Sequence, residues 1–194
     1  MLILAVLLMN RCLASHHEGS SYDSMLKTGA ERTESYQPLL TGKSVALVVN
    51  HTSLIGDVHL LDSLIALKIN VVKIFSPEHG FRGDADAGSY ISGGYDQKTG
   101  VEVVSLYGKK KKPTPEDLKG VELVVFDIQD VGVRFYTYLS TMTLVMEACA
   151  ENSIPFIVFD RPNPNGFYTD GPVLEPGYSS FVGMHPVPVV HGMT

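Results

Sequence analysis

The sequence predicts an α/β domain on a mostly parallel sheet of about five strands. Three observations carry this. Five short, predominantly apolar runs lie at 44–50, 71–75, 101–106, 121–127 and 154–159, and they lack the polar alternation of a sheet with one wet face. Segments with helical spacing of apolar residues, at 59–68 and 137–152, fall between strands. Most of the runs end in clusters of polar or ionisable residues, which right-handed crossovers would gather on one edge.

The 194 residues suffice for a domain with a substantial core, and 44% hydrophobic with 19% charged residues is ordinary globular composition. A formal net charge of −6 argues against a nucleic-acid partner. The one basic run, Lys109 to Lys112, leads into Pro113-Thr114-Pro115-Glu116-Asp117 and reads as a solvated loop.

In chain order, residues 1–15 resemble a secretory signal peptide: Leu2 to Met9 is apolar and too short to span a bilayer, and Cys12-Leu13-Ala14 offers small residues for cleavage. An extracytoplasmic location without stable membrane insertion is expected. A lipid anchor on Cys12 ranks lower, because Arg11 stands where such signals carry a small residue. Within 16–40, residues 16–24 read as a polar linker, and 23–40 as a short amphipathic helix followed by a loop. The strand at 44–50 and the helix at 59–68 follow, then the strand at 71–75. The Gly-, Ser- and Asp-rich stretch at 80–100 is long for a plain connection. After the strand at 101–106, Pro115-Glu116-Asp117-Leu118 opens a helical turn before the strand at 121–127. Within the helix at 137–152, Cys149 reads as a small buried hydrophobe, and two cysteines suggest no disulfide framework. Beyond Arg161 the chain is rich in Pro, Gly and Asn without periodicity, and its end at Thr194 reads as the front portion of something longer.

Ligands of open α/β sheets bind outside the carboxyl ends of the strands. Those ends deliver Asn50-His51-Thr52-Ser53, Ser76-Pro77-Glu78-His79, Leu106-Tyr107-Gly108, Asp127 to Tyr136, and Asp160-Arg161-Pro162-Asn163-Pro164-Asn165-Gly166. Singly, each has a plain alternative: a helix cap, a turn or an ion pair. Together they suit a polyhydroxylated ligand, with carboxylates and amides for hydroxyls, tyrosines for sugar faces and guanidinium groups for a carboxylate. No Gly-x-Gly-x-x-Gly or Gly-Lys-Ser/Thr follows the first strand, which argues against nucleotide binding. His79, His185, His191, Asp84 and Asp86 show no zinc-type spacing, so a metal-dependent hydrolase is a minor alternative and no metal or cofactor is expected. No Gly-x-Ser-x-Gly elbow marks a nucleophilic serine.

Three long motifs, Pro77-Glu78-His79-Gly80-Phe81-Arg82-Gly83, the run from Phe126 to Tyr138, and Asp160 to Gly166, resemble the NamZ-type exo-β-N-acetylmuramidases from about residue 40 to 194. The resemblance implies a glycoside hydrolase that removes terminal N-acetylmuramic acid from the non-reducing end of peptidoglycan fragments. It implies a Rossmann-like three-layer domain at 41–194 and a C-terminal domain, absent from this sequence, forming the other wall of the cleft. A non-catalytic muropeptide-binding module or an inactive half is the alternative.

Glycoside hydrolysis uses a proton donor and a second carboxylate or a substrate group opposite it. Glu78, at a buried strand's end beside His79, is the candidate acid; pairing with Arg82 is its plain alternative. Asp130 leads the candidates for the second group, with Asp127 and Asp160 next. An aspartate or Tyr136 could instead orient the substrate's acetamido group. Arg82, Arg134 and Arg161 are candidates for the lactyl carboxylate. Asn50, His79, Gln129 and Asn163 complete the expected substrate contacts, and His185 and His191 could close the cleft.

Overall fold

The computed structural model describes residues 26–78, 80–82 and 93–193. The expected signal-like start, Cys12, His79, Asp84 and Asp86 lie outside the described residues.

Six strands form the main sheet, in the order β5(Gly94–Tyr95), β6(Glu102–Ser105), β4(Asn70–Ser76), β1(Ser44–Val49), β7(Leu123–Asp127), β8(Phe156–Val158). The five expected strands are all present and mutually parallel; only the short edge strand β5 runs antiparallel, against β6. A two-residue hairpin, β2(Leu54–Ile55) with β3(Val58–His59), follows β1.

Strand β1 is the axis of the fold. Val45, Ala46, Leu47, Val48 and Val49 are all fully buried, and their side chains divide by the two-residue period of a strand. Val45, Leu47 and Val49 pack with α1(Thr33–Leu40) and α2(Leu60–Ala66), whereas Ala46 and Val48 pack with α3(Tyr138–Glu151). This gives the expected three layers, with each fully buried Leu or Val worth about 2 kcal/mol of transfer free energy. On β4 the alternation is broken by an extra residue: Val45 faces Val71 and Ala46 faces Lys73, leaving Val72 as a bulge. The bulge keeps Val71 and Ile74, three residues apart, in the same core.

Helix α1 starts at Thr33, later than the expected helix within 23–40. The reason is a close backbone approach at Gly29, whose N–H donates to the Asp160 carbonyl at 2.7 Å. A Cβ on Gly29 would sit 2.6 Å from the Asp160 nitrogen. The chain must cross the end of β8 there before it can coil. Helix α2 is capped by His59, whose Nδ1 accepts the Leu61 N–H at 3.2 Å. Its Nε2 therefore carries the proton and donates to the Asn50 carbonyl at 3.0 Å. Burial pushes the His59 pKa down, favouring this neutral form.

Strand β1 is followed by a crossover toward β4, and β7 by a crossover through α3 toward β8, away from β4. The direction of winding therefore reverses between β1 and β7. Their carboxyl ends flank a topological switch point, where α/β sheets open a ligand crevice.

Candidate active site at the carboxyl edge of the sheet

The turn after β1 is an interlocked scaffold. Asn50 Oδ1 accepts the Thr52 N–H at 2.9 Å and the Thr52 hydroxyl at 2.7 Å. Ser53 Oγ accepts the Asn50 N–H and donates to the Asp127 carbonyl, tying β1 to β7 across the switch point. Asn50 is fully buried, and its Nδ2 has no hydrogen-bond partner among the described residues.

Asp127, at the end of β7, is fully buried. Both its oxygens are taken by Arg161, from Nε at 2.6 Å and Nη2 at 3.0 Å. Burial pushes the Asp127 carboxyl up, against the downward pull of Arg161. This pair differs from the expectation that Asp127 contacts substrate: its carboxylate is spent anchoring the segment after β8. Arg161 also donates to the Leu54 carbonyl at 2.9 Å. Its Nη1 has no partner among the described residues.

Arg82 likewise differs from expectation. Its guanidinium bridges Asp96, at 3.0 Å from both Nε and Nη2, and Asp62, at 3.3 and 3.2 Å. The Arg82 hydrogen bonds hold the Asp96 carboxyl down at about 2, helped by Thr99. Arg82 thus ties α2 to the loop after β5, and its donors are not free for a lactyl carboxylate. Arg134 spends Nη1 on the Pro172 and Val187 carbonyls, at 2.8 and 2.6 Å, and pins the C-terminal segment. Gln129 donates to the Pro162 and Asp130 carbonyls. Asn163 accepts the Asn165 N–H at 2.8 Å and donates to the Met193 carbonyl at 2.6 Å, holding a turn.

Two adjoining cavities open on either side of Tyr138. The smaller, of about 180 Å³, is lined by Glu78, Phe135, Tyr136, Thr137 and Tyr138. Tyr136 and Tyr138 meet edge to face with centroids 5.2 Å apart, and Phe135 and Tyr136 are exposed. Exposed aromatic faces beside a carboxyl group are what a sugar ring stacks on. Glu78 also acts on Tyr107, at the end of β6: its charge, with a hydrogen bond, pushes the Tyr107 hydroxyl pKa up. Burial pushes the Tyr138 hydroxyl up.

The larger cavity, of about 340 Å³, has apolar walls that include Phe126, Ile128, Leu139, Met142 and Val158, and a polar rim of Asp130, Asp160, Arg161, Asn163 and His191. Asp130 Oδ2 accepts from His191 Nε2 at 3.1 Å and from the Gly132 N–H at 3.2 Å. Asp130 Oδ1 is buried with no partner among the described residues. Gly132 has φ +75°, and a Cβ there would overlap the Asn163 amide, so glycine is required for the loop to close on the 160–166 turn.

Tyr138 lines both cavities, while Glu78 lines only the first and Asp130 only the second. Sequence reasoning quoted Tyr138 within a motif but gave it no role; its position as the first residue of the α3 pattern, directly after Tyr136-Thr137, was the available signal. Asp160 is exposed on the rim. His185 is drawn to α3, its Nε2 2.9 Å from the Thr143 hydroxyl, and lines neither cavity. Among the described residues no group of three or more His, Cys, Asp or Glu side chains could hold a metal ion.

Residues 45–194 match the family model described as "Exo-beta-N-acetylmuramidase NamZ, N-terminal". A relative in Bacillus subtilis (strain 168), "Peptidoglycan beta-N-acetylmuramidase NamZ", is 54% identical over 164 residues, which are 82% of this chain. The chain spans 39% of that relative's length. Two crystal structures of DUF1343 family proteins from Bacteroides fragilis NCTC 9343 superpose with TM-scores of 0.75 and 0.77. They are 48% and 46% identical in sequence; the match covers 86% of this chain in each case, and 43% and 42% of theirs. With a family model matched along most of its length, the chain belongs to the NamZ family and corresponds to its N-terminal domain.

Proposed function

We propose that this chain supplies the catalytic wall of a glycoside hydrolase that releases terminal N-acetylmuramic acid from the non-reducing end of peptidoglycan fragments. Glu78 is the proton donor to the leaving oxygen, and Asp130 is the second carboxylate, acting on water or on the substrate's acetamido group. The observation that carries this reading is the position of Glu78. It leaves a buried parallel strand directly into a cavity walled by Phe135, Tyr136 and Tyr138, which adjoins the Asp130 cavity across one tyrosine. The exposed aromatic faces supply stacking surface for a sugar ring, and the half-buried carboxyl lies among them. The name of the Bacillus subtilis relative supports the substrate class. The signal-like residues 1–15 support an extracytoplasmic location, where cell-wall fragments are met.

The test is Glu78→Gln assayed on a muramyl-terminated disaccharide, whose sugar leaving group departs only with a proton. Removing a general acid lowers turnover by about 10²-fold or more, with the circular dichroism spectrum unchanged. Near-normal turnover in a folded variant overturns the assignment.

A second reading is a muropeptide-binding module without turnover, favoured by one observation: the exposed Phe135 and Tyr136 offer stacking faces whatever the chemistry beside them. Calorimetry on the chain with N-acetylmuramic acid, set beside the turnover assay, separates the readings, since binding without turnover favours the module.

A further inference from the structure

The four consecutive lysines after β6 are not alike. Lys110 closes on Asp117 at 2.8 Å, Lys111 lies 4.3 Å from the centre of the Phe181 ring, and Lys112 bridges Glu147 and Glu151 at 3.1 and 2.7 Å. Lys109 is exposed and has no carboxylate partner among the described residues. It lines a third, more open cavity of about 500 Å³ at the β5 edge of the sheet, with Tyr95, Glu102, Ser105 and Tyr107. The other charged groups of that wall are neutralised in place, Glu102 by Lys73 at 3.3 Å and Lys110 by Asp117. Lys109 is therefore its unmatched charge, and Tyr95, 74% exposed, is its free aromatic face.

Strand register places this cavity beside Glu78. Ser76 on β4 pairs with Ser105 on β6, and the Leu106 N–H donates to the Ser76 carbonyl at 2.8 Å. Two residues beyond each serine come Glu78 and Tyr107, joined by a hydrogen bond. Tyr107 lines the third cavity and Glu78 the one walled by Phe135, Tyr136 and Tyr138, so Glu78 stands between the two. A proton donor acts on the bond between two sugars, and a bound chain needs room on both sides of it. The cavity of about 180 Å³ suits a single terminal ring, whereas that of about 500 Å³ has room for more than one and opens outward.

We propose that the third cavity binds the leaving-group side of the saccharide, with Lys109 pairing with the lactyl carboxylate of the second sugar beyond the cleaved bond. In the alternating sugars of peptidoglycan, the ring next to that bond is the uncharged N-acetylglucosamine, so the second ring is the first on this side to carry a carboxylate. The assignment rests on the functional reading above for the place of the cleaved bond, but its test does not depend on turnover.

The experiment titrates the full chain, in a Glu78→Gln background so that no sugar is released, with two forms of one trisaccharide. Both read N-acetylmuramyl, N-acetylglucosaminyl, N-acetylmuramic acid from the non-reducing end; one keeps the reducing-end lactyl carboxylate and the other carries its carboxamide. Calorimetry at low ionic strength should show the acid binding about threefold or more tightly than the amide, the scale of one charge-assisted bond near solvent. Lys109→Met brings the ratio to near unity with the amide's affinity unchanged, Lys109→Arg retains it, and Lys111→Met leaves it as it was. Salt at about 1 M, where the screening length is about 3 Å, also removes it. Equal affinity for acid and amide with Lys109 in place, no binding of either, or discrimination that survives Lys109→Met overturns the proposal. Discrimination that depends on Lys109, in a chain that with Glu78 intact releases no muramic acid from the disaccharide, supports the subsite and counts against the hydrolase reading. Turnover without discrimination does the reverse, which separates the two failures.

Discussion

Replacing Asp96 by Asn tests whether Arg82, a residue of the most distinctive motif, is structural. Asp96 is 7% exposed, its carboxylate takes two hydrogen bonds from Arg82 and two from Thr99, and its pKa falls from the ordinary 3.8 to about 2. That depression corresponds to about 2 kcal/mol of native-state stability. Arg82 is 22% exposed, so solvent screening trims it to about 1–2 kcal/mol. A depressed carboxyl contributes above its unfolded value and stops contributing below its folded one, so the stability is complete at neutral pH and disappears between about pH 4 and pH 2. Arg82 is pushed upward by Asp96 and stays charged throughout. Urea unfolding followed by circular dichroism, for wild type and Asp96→Asn, should show a gap of about 1–2 kcal/mol at pH 6 that closes toward pH 2. A gap of the same size at both pH values, or none at pH 6, refutes the reasoning. Sugar affinity at neutral pH should be unchanged as long as the variant is folded.

Two other outcomes follow from burial. Asp127→Asn strands Arg161, whose side chain is 7% exposed, and should cost about 3–5 kcal/mol in urea denaturation; the apolar pair Asp127→Leu with Arg161→Met should recover most of it. Burial pushes the Cys149 thiol up to about 11, so in a Cys12→Ser background a maleimide at pH 8 should leave the native chain unlabelled and label it in urea.

The layered architecture was legible because β1, β4 and β7 carry their burial in local sequence: a strand covered on both faces must be apolar nearly throughout, and few other folds ask for that. Strand β5 was not legible, since Gly94–Tyr95 has no apolar pattern and pairs with β6 through its backbone alone. The start of α1 was missed because the deciding event is a contact of Gly29 with Asp160, 131 positions along the chain. For the site, the sequence correctly gathered polar groups at one edge but could not say which of them would satisfy one another. Asp127 with Arg161, and Arg82 with Asp62 and Asp96, are charge pairs between residues 14 to 34 positions apart, and nothing local distinguishes a paired guanidinium from a free one.

The same pairing explains how a segment with so little regular structure can carry part of the site. Residues 161–193 contain one short 3₁₀ turn, at Pro176–Tyr178. The segment is held instead by discrete bonds to the sheet edge: Arg161 to Asp127, Arg134 to Pro172 and Val187, the Arg134 N–H to the Val189 carbonyl and the His191 N–H to the Gly132 carbonyl. Each side chain that the pairings withdraw from ligand contact is spent placing one that remains. Arg161 docks the turn that brings Asn163 against Gly132, and Gly132 in turn presents its N–H to Asp130. Arg134 fixes the return strand that delivers His191. Five of the expected substrate contacts, Arg82, Asp127, Gln129, Arg134 and Asn163, therefore make bonds that hold the frame, and the polar groups left with unused capacity among the described residues include Asn50 Nδ2, the free oxygen of Asp130, the exposed Asp160 and one nitrogen of Arg161. Under the proposed function, a cleft with so few free groups draws its selectivity from their placement, and that placement depends on the frame remaining closed.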